Sequence, residues 1–219
     1  MHRRRRTALV LSAAIVAAAP LLTGCGSEAH PGAAAVVDGR RITVAQLESR
    51  VNEVRSAQRA ASKDDAQYEQ VLANTGTLTR DTLHGMVLDR VLDRAAKNAG
   101  VSVTRKDSQQ MRAALEQQAG GSEALEAAWL TNYGVAPQRI DDSLRTEIEA
   151  RKLASALGAD MNTTDGKAAF WKAMSAASKQ LDVDLNPRYG TWDVQKSSRV
   201  DAKTPWLREV TATGTQQTA

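Results

Sequence analysis

One side chain stands out for covalent chemistry by its type and its position. Cys25 is the single cysteine of the 219-residue chain, and it directly follows Leu22, Thr23 and Gly24. Ahead of these lie the cationic run Arg3–Arg6 and an uncharged stretch from Ala8 to Leu22, built of Ala, Leu, Val and Ile with one Ser and one Pro. A thiol nucleophile behind a small residue suits acylation and cleavage; with no second cysteine it has no disulfide partner. The other reactive residues do not assemble into a catalytic set. Beyond the leader the histidines are His30 and His84, and no His/Asp/Glu group has metal-ligand spacing. The serines lack a matching His–acid set, and no glycine-rich loop joins a strand to a helix start. The expectation is a protein that is not an enzyme and uses no cofactor or metal.

The Leu22-Thr23-Gly24-Cys25 segment resembles the lipobox of bacterial lipoproteins. The resemblance implies that the Cys25 thiol becomes a diacylglyceryl thioether and that cleavage makes Cys25 the first mature residue. A charged n-region followed by roughly fifteen apolar residues has the form of a signal peptide and is short for a membrane-spanning helix. Residues 1–24 are therefore expected to be a signal peptide, and lipid on Cys25 to hold the protein at the extracytoplasmic face of the cell membrane. Acyl chains anchor at about 0.8 kcal/mol per buried CH₂, so two chains hold stably where one is marginal.

The formal charge of +4, from 29 Lys+Arg against 25 Asp+Glu, sits in that leader, whose four arginines face no acid. The rest of the chain is balanced, which argues against a nucleic-acid surface. Aromatics make up only 4% while Ala, Leu and Val abound, which favours helices packed on helices.

Residues 25–33 read as a lipidated tether, small and breaker-rich. Asp38-Gly39 between short apolar runs signals a hairpin. Thr43 with Gln46 forms a capping box opening a helix that carries Val44, Leu47, Val51 and Val54 and fades near Ala61. A polar patch then leads to a short apolar turn around Tyr68, Val71 and Leu72. From Thr79 to Ala99 a broad stripe of Leu83, Val87, Leu88, Val91, Leu92 and Ala95 predicts a buried helix closed by Gly100. Thr104 and Asp107 cap the next helix, which carries Met111 and Leu115. Gly120-Gly121 separates it from one carrying Leu125, Trp129 and Leu130. Pro137 starts a long helix to about Leu157, and a last helix spans Asp165 to Gln180. Leu181–Leu185 alternates like a half-buried strand, and Trp192 and Val194 resume the alternation. Residues 195–219 read as a mostly disordered tail with Pro205-Trp206-Leu207 as its one apolar island.

Three segments together resemble a known family. Ala35-Val36-Val37-Asp38-Gly39-Arg40-Arg41-Ile42-Thr43 is similar to the hairpin that opens SurA/PrsA-type extracytoplasmic chaperones. Ala95–Thr104 is similar to that family's helix end, and Val183–Asp193, with its Asn186-Pro187-Arg188-Tyr189-Gly190 core, to its closing strand. The resemblance implies a mainly α, SurA N-domain-like fold over residues 34–194, whose N-terminal hairpin is completed by a C-terminal strand. It also implies holdase-like handling of unfolded or nascent secreted polypeptides, with no small-molecule substrate. Many relatives insert a parvulin prolyl isomerase before the last helix. Here that junction is only Gly158–Thr164, and no histidine pair exists, so the isomerase is absent.

Methionine re-packs around varied partners. Met86, Met111 and Met174 with Trp129, Tyr133 and Trp171 are the candidates for a client-binding groove, against ordinary core packing. His84, beside the apolar stripe, is expected at a boundary. Asn186–Gly190 is expected to shape a turn that seats Tyr189 and Trp192 against the hairpin. The alternative function is a scaffold lipoprotein that holds one specific envelope partner.

Overall fold

The structure is a computed structural model, and it describes residues 31–201. The chain enters as a hairpin of β1 (Ala33–Val37) and β2 (Arg40–Thr43). Asp38 and Gly39 both take positive φ, 54° and 67°, as a tight two-residue turn requires. β1 pairs with β2 on one side and with β3 (Asp184–Leu185) on the other, both antiparallel, with Ala35 opposite Ile42 and Leu185. The strand nearest the N-terminus is thus central in the sheet, and the C-terminal strand closes the fold end to end as expected. Ala33, Ala34, Ala35 and Val37 are all buried, so β1 is covered on both faces. Ala33, placed in the tether by sequence, is the first residue of this strand, because it pairs with Thr43 across a register shift between Ala33 and Ala35.

Thr43 and Gln46 form the expected reciprocal cap, Oγ1 accepting from Gln46 N–H at 3.0 Å and Gln46 Oε1 from Thr43 N–H at 2.9 Å. This opens α1 (Val44–Ala61), which buries Leu47, Val54 and Gln58. The expected apolar turn around Tyr68 is instead a full helix, α2 (Asp65–Asn74), none of whose side chains is buried. Its apolar residues, Tyr68, Val71 and Leu72, do fall at i, i+3 and i+4, but each is only half-buried. Asp64 caps its first turn at 2.8 Å, and Arg59 pairs with Asp65 and lies over the Tyr68 ring. Local capping and charge therefore build this helix, and core packing does not.

The hub is α3 (Leu78–Asn98), with Leu83, Val87, Val91, Leu92, Ala95 and Ala96 buried against α1, the sheet and the two later long helices. Thr104 and Asp107 box the start of α4 (Arg105–Ala119), and α5 (Ser122–Tyr133) follows. A 3-10 turn over Pro137–Arg139 leads into α6 (Ile140–Ala156), and α7 (Thr164–Leu181) closes the helical part. A Cβ on Gly166 would run into the Asp160 backbone, so the α6–α7 junction folds directly onto the start of α7. One large core joins the sheet, α1, α3, α6 and α7; smaller clusters gather Val54, Leu130 and Ala136, and Leu125, Ile140 and Leu144.

Past β3, Asn186 Nδ2 donates to the Ala33 carbonyl (3.1 Å) and its backbone N–H to that of Ala34 (3.0 Å). Tyr189 is buried in the main core and Trp192 packs against it, its Nε1 donating to the buried Ser178 hydroxyl at 2.6 Å. Trp192 does not extend the first sheet. It lies in β4 (Thr191–Asp193), which pairs with β5 (Ser198–Val200) as a separate ribbon. The start of the region read as a polar tail is therefore ordered. The turn at Lys196–Ser197 returns the chain, Arg199 N–H donates to His84 Nδ1 (3.3 Å), and the His84 ring lies 5.7 Å from that of Trp192. His84 is a boundary residue, as expected, and its partner is this ribbon. Residues 202–219 lie outside the described residues, as do the proposed leader and Cys25.

Candidate functional site

Three adjoining hollows form an elongated groove along one face of α3. The central one, of about 280 Å³, lies between α1, α3 and the segment from Tyr133 to Thr146. It shares Arg50, Met86, Asp89 and Arg139 with a hollow of about 610 Å³ toward the β2–α1 junction. At the other end it shares Leu78, Asp81, Tyr133 and Gly134 with a hollow of about 560 Å³ bounded by α1, α2 and α5.

The helical period of α3 makes the groove. Leu83, Val87 and Val91 face the core, while Leu78, Asp81, Gly85, Met86 and Asp89 fall on another face and line the groove. Gly85, in mid-helix, has nothing within 4 Å of where a Cβ would stand, so bare helix backbone lines the central hollow. The apolar lining continues from the Val54–Leu130–Ala136 cluster, against which Leu78 packs. Gly134, at φ 63°, ends α5 in the left-handed conformation and leaves the Tyr133 ring 67% exposed at the rim.

Charge is distributed unevenly along the groove. Arg139 grips Glu53 through two hydrogen bonds of 2.7 and 2.8 Å and reaches Asp142 at 3.3 Å, pinning the 3-10 turn to α1. The hydrogen bond from Arg139 holds the Glu53 carboxyl below the usual carboxylate range. Arg50 stands 3.9 Å from Asp142. Arg50 and Arg139 are thereby engaged with carboxylates, while Arg90, on the β2-side hollow, donates to the Arg40 and Arg41 carbonyls at 3.0 and 3.5 Å. Asp89 is different: among the described residues its hydrogen-bond donor is the Thr146 hydroxyl, at 3.4 Å, and the nearby Arg50 and Arg145 act on it without an ion pair. Water reaches its side chain, yet it sits in a concavity walled by protein, and the resulting desolvation pushes its carboxyl above the usual range.

The candidate side chains divide. Met86 and Tyr133 line the groove. Met111 and Trp129 pack against the Leu125–Ile140–Leu144 cluster, with the Trp129 ring 5.3 Å from that of Tyr133. Met174 is only 2% exposed and belongs to the main core, because α7 turns that face onto α3; it has no surface for a client. Trp171 is 44% exposed on α7 and stacks edge-on against Phe170, away from the groove. Sequence reasoning missed Leu78, Asp81, Gly85 and Asp89. The available signal was Asp81, Gly85 and Asp89 at i, i+4 and i+8 on a helix whose other face is apolar, interrupted by a glycine no cap needs.

Among the described residues no helix is long and apolar enough to cross a membrane. No curated protein and no solved structure matches the chain. Residues 1–154 match the SurA-like N-terminal domain family, and the match includes two of the three motifs noted in the sequence, the hairpin and the end of α3. The third, at Val183–Asp193, lies beyond the matched residues and supplies the strand that closes the sheet. Such domains are of chaperone type, not catalytic by themselves, and bind unfolded polypeptides in general. The chain belongs to the SurA-like N-terminal domain family.

Proposed function

We propose that the protein is a membrane-anchored holdase: tethered by lipid on Cys25 at the extracytoplasmic face, it binds unfolded exported chains and does not isomerise prolyl bonds. The observation that carries this reading is the elongated groove with Met86 and the exposed Tyr133 on its wall. An adaptable thioether, an exposed ring and bare helix backbone accept many side chains without demanding one shape. Such a surface binds weakly, with Kd in the micromolar range or above, on the order of −8 kcal/mol or less favourable. The seven-residue Gly158–Thr164 junction leaves no room for an isomerase insert, and His84 is engaged by Arg199.

The test measures suppression of aggregation of a chemically unfolded client by the purified protein, beside a proline-limited peptide assay. Protection without isomerisation is expected. Tyr133→Ala should weaken protection with the melting temperature unchanged, because the ring is exposed. Protection that survives this substitution and Met86→Ala counts against the groove. Failure to protect any client favours a scaffold that holds one envelope partner.

A further inference from the structure

Asp81 and Asp89 stand where the hollows of the groove meet. Asp81 lines the central hollow and its α2-side neighbour, and Asp89 lines the central hollow and its β2-side neighbour. Neither makes an ion pair among the described residues, whereas Glu53 and Asp142 in the same groove are matched by Arg139 and Arg50. The groove therefore presents two carboxylates outside ion-pair distance of any cation among the described residues, at fixed separation; Arg50 and Arg145 act on Asp89 only from farther off. Eight residues of helix set them about 12 Å apart along the axis of α3. An extended chain rises about 3.3 Å per residue, so side chains four residues apart lie about 13 Å from each other.

We infer that the groove selects extended polypeptide segments bearing two cationic residues four positions apart with apolar residues between them, one cation on Asp81, the other on Asp89, and the apolar residues on Leu78, Met86 and Tyr133. This rests on the holding role proposed above and names the class of client. The long stems of Lys and Arg suit such a site, since they lie along Met86 and Tyr133 while the charged ends reach the carboxylates. Asp89 gains most, because its partly desolvated carboxylate has only the long Thr146 hydrogen bond among the described residues, and a cation beside it offsets that cost.

The test uses the full-length protein in mild detergent and fluorescent twelve-residue peptides read by anisotropy. One peptide carries Arg at positions 4 and 8 with Leu and Phe between them. Its twin carries Gln at both positions, and a third carries the two Arg side by side. Exposed ion pairs are each worth up to a few-fold in affinity, so the spaced Arg peptide should bind about tenfold tighter than the Gln twin at low salt. It should also beat the adjacent-Arg peptide, and the advantage should shrink at 0.5 M salt, roughly, as screening sets in. Asp89→Asn, and separately Asp81→Asn, should cut the Arg-over-Gln ratio several-fold with the melting temperature in place, and a ratio that neither substitution changes overturns the inference. Equal binding of the Arg and Gln peptides overturns the charge inference and leaves the holding role standing; binding of neither overturns both. Arg-peptide binding seen only after residues 202–219 are removed would assign the groove to the chain's own Lys203–Arg208 segment and overturn the client reading.

Discussion

Gly85 separates what the groove costs from what it does. The residue lies in the middle of α3 with ordinary helical backbone, and open space surrounds the position of a Cβ. Nothing in the packing requires glycine there. Relative to Ala it costs the helix about 0.8–1 kcal/mol, and for a domain of this size that is roughly 2–4 °C in Tm. Gly85→Ala should therefore melt higher by that amount, its methyl taking little of the central hollow of about 280 Å³. Gly85→Leu should keep most of the gain, since Leu is nearly as good a helix former, but its side chain projects into the hollow beside Met86. The expected pattern is two stabilised proteins, of which the Leu variant protects unfolded clients poorly and the Ala variant nearly normally. Thermal melts followed by circular dichroism read the first quantity, and light scattering of an aggregating client reads the second. A Gly85→Leu protein that holds clients as well as the parent refutes the groove as the binding surface. A Gly85→Ala protein that melts at or below the parent refutes the open geometry assigned to this stretch of helix.

Other consequences are equally direct. Trp192→Phe keeps a ring against the core but removes the donor to the fully buried Ser178 hydroxyl, and should cost about 1–2 kcal/mol in urea denaturation; an unchanged midpoint would mean that Ser178 finds another partner within α7. Lys152, donating at 2.7 Å, and the Thr104 cap hold the Asp107 carboxyl down to about 2 from its ordinary 3.8. Because the folded value is the lower one, the stability Asp107 contributes is whole above about pH 4 and lost as the pH falls toward 2. Asp107→Asn should accordingly flatten stability against pH across that window, and an acid limb of unchanged steepness would count against the ion pair. Cys25→Ser should leave the protein unlipidated and release it from membranes by a carbonate wash, and retention in the membrane fraction would remove the anchor assignment.

Where local chemistry suffices, the sequence alone determined the outcome. The turn at Asp38-Gly39, the capping boxes at Thr43 and Thr104, and the stripe of α3 are set by contacts between residues at most a turn or two apart, so they were legible without a fold. The return of the closing strand to the hairpin was legible from the alternation in both segments, their position flanking the helices and family resemblance together, since no local signal names the partner of a strand 150 residues away. α2 read as a short turn because its apolar residues, Tyr68, Val71 and Leu72, cover barely one turn and none is fully buried. The site was legible only in part. Met and Trp are equally suited to a core and to a groove, and residue type cannot say which way a helix is turned. That rotation is decided by which face α7 and the sheet bury, and it sent Met174 inward, left Trp171 outside, and brought Met86 and Tyr133 together from helices nearly fifty residues apart. That Asp81 and Asp89 make no ion pair among the described residues is likewise decided only in three dimensions, because Arg50 and Arg139 are drawn to Glu53 and Asp142 by the packing of α1 against the turn that precedes α6.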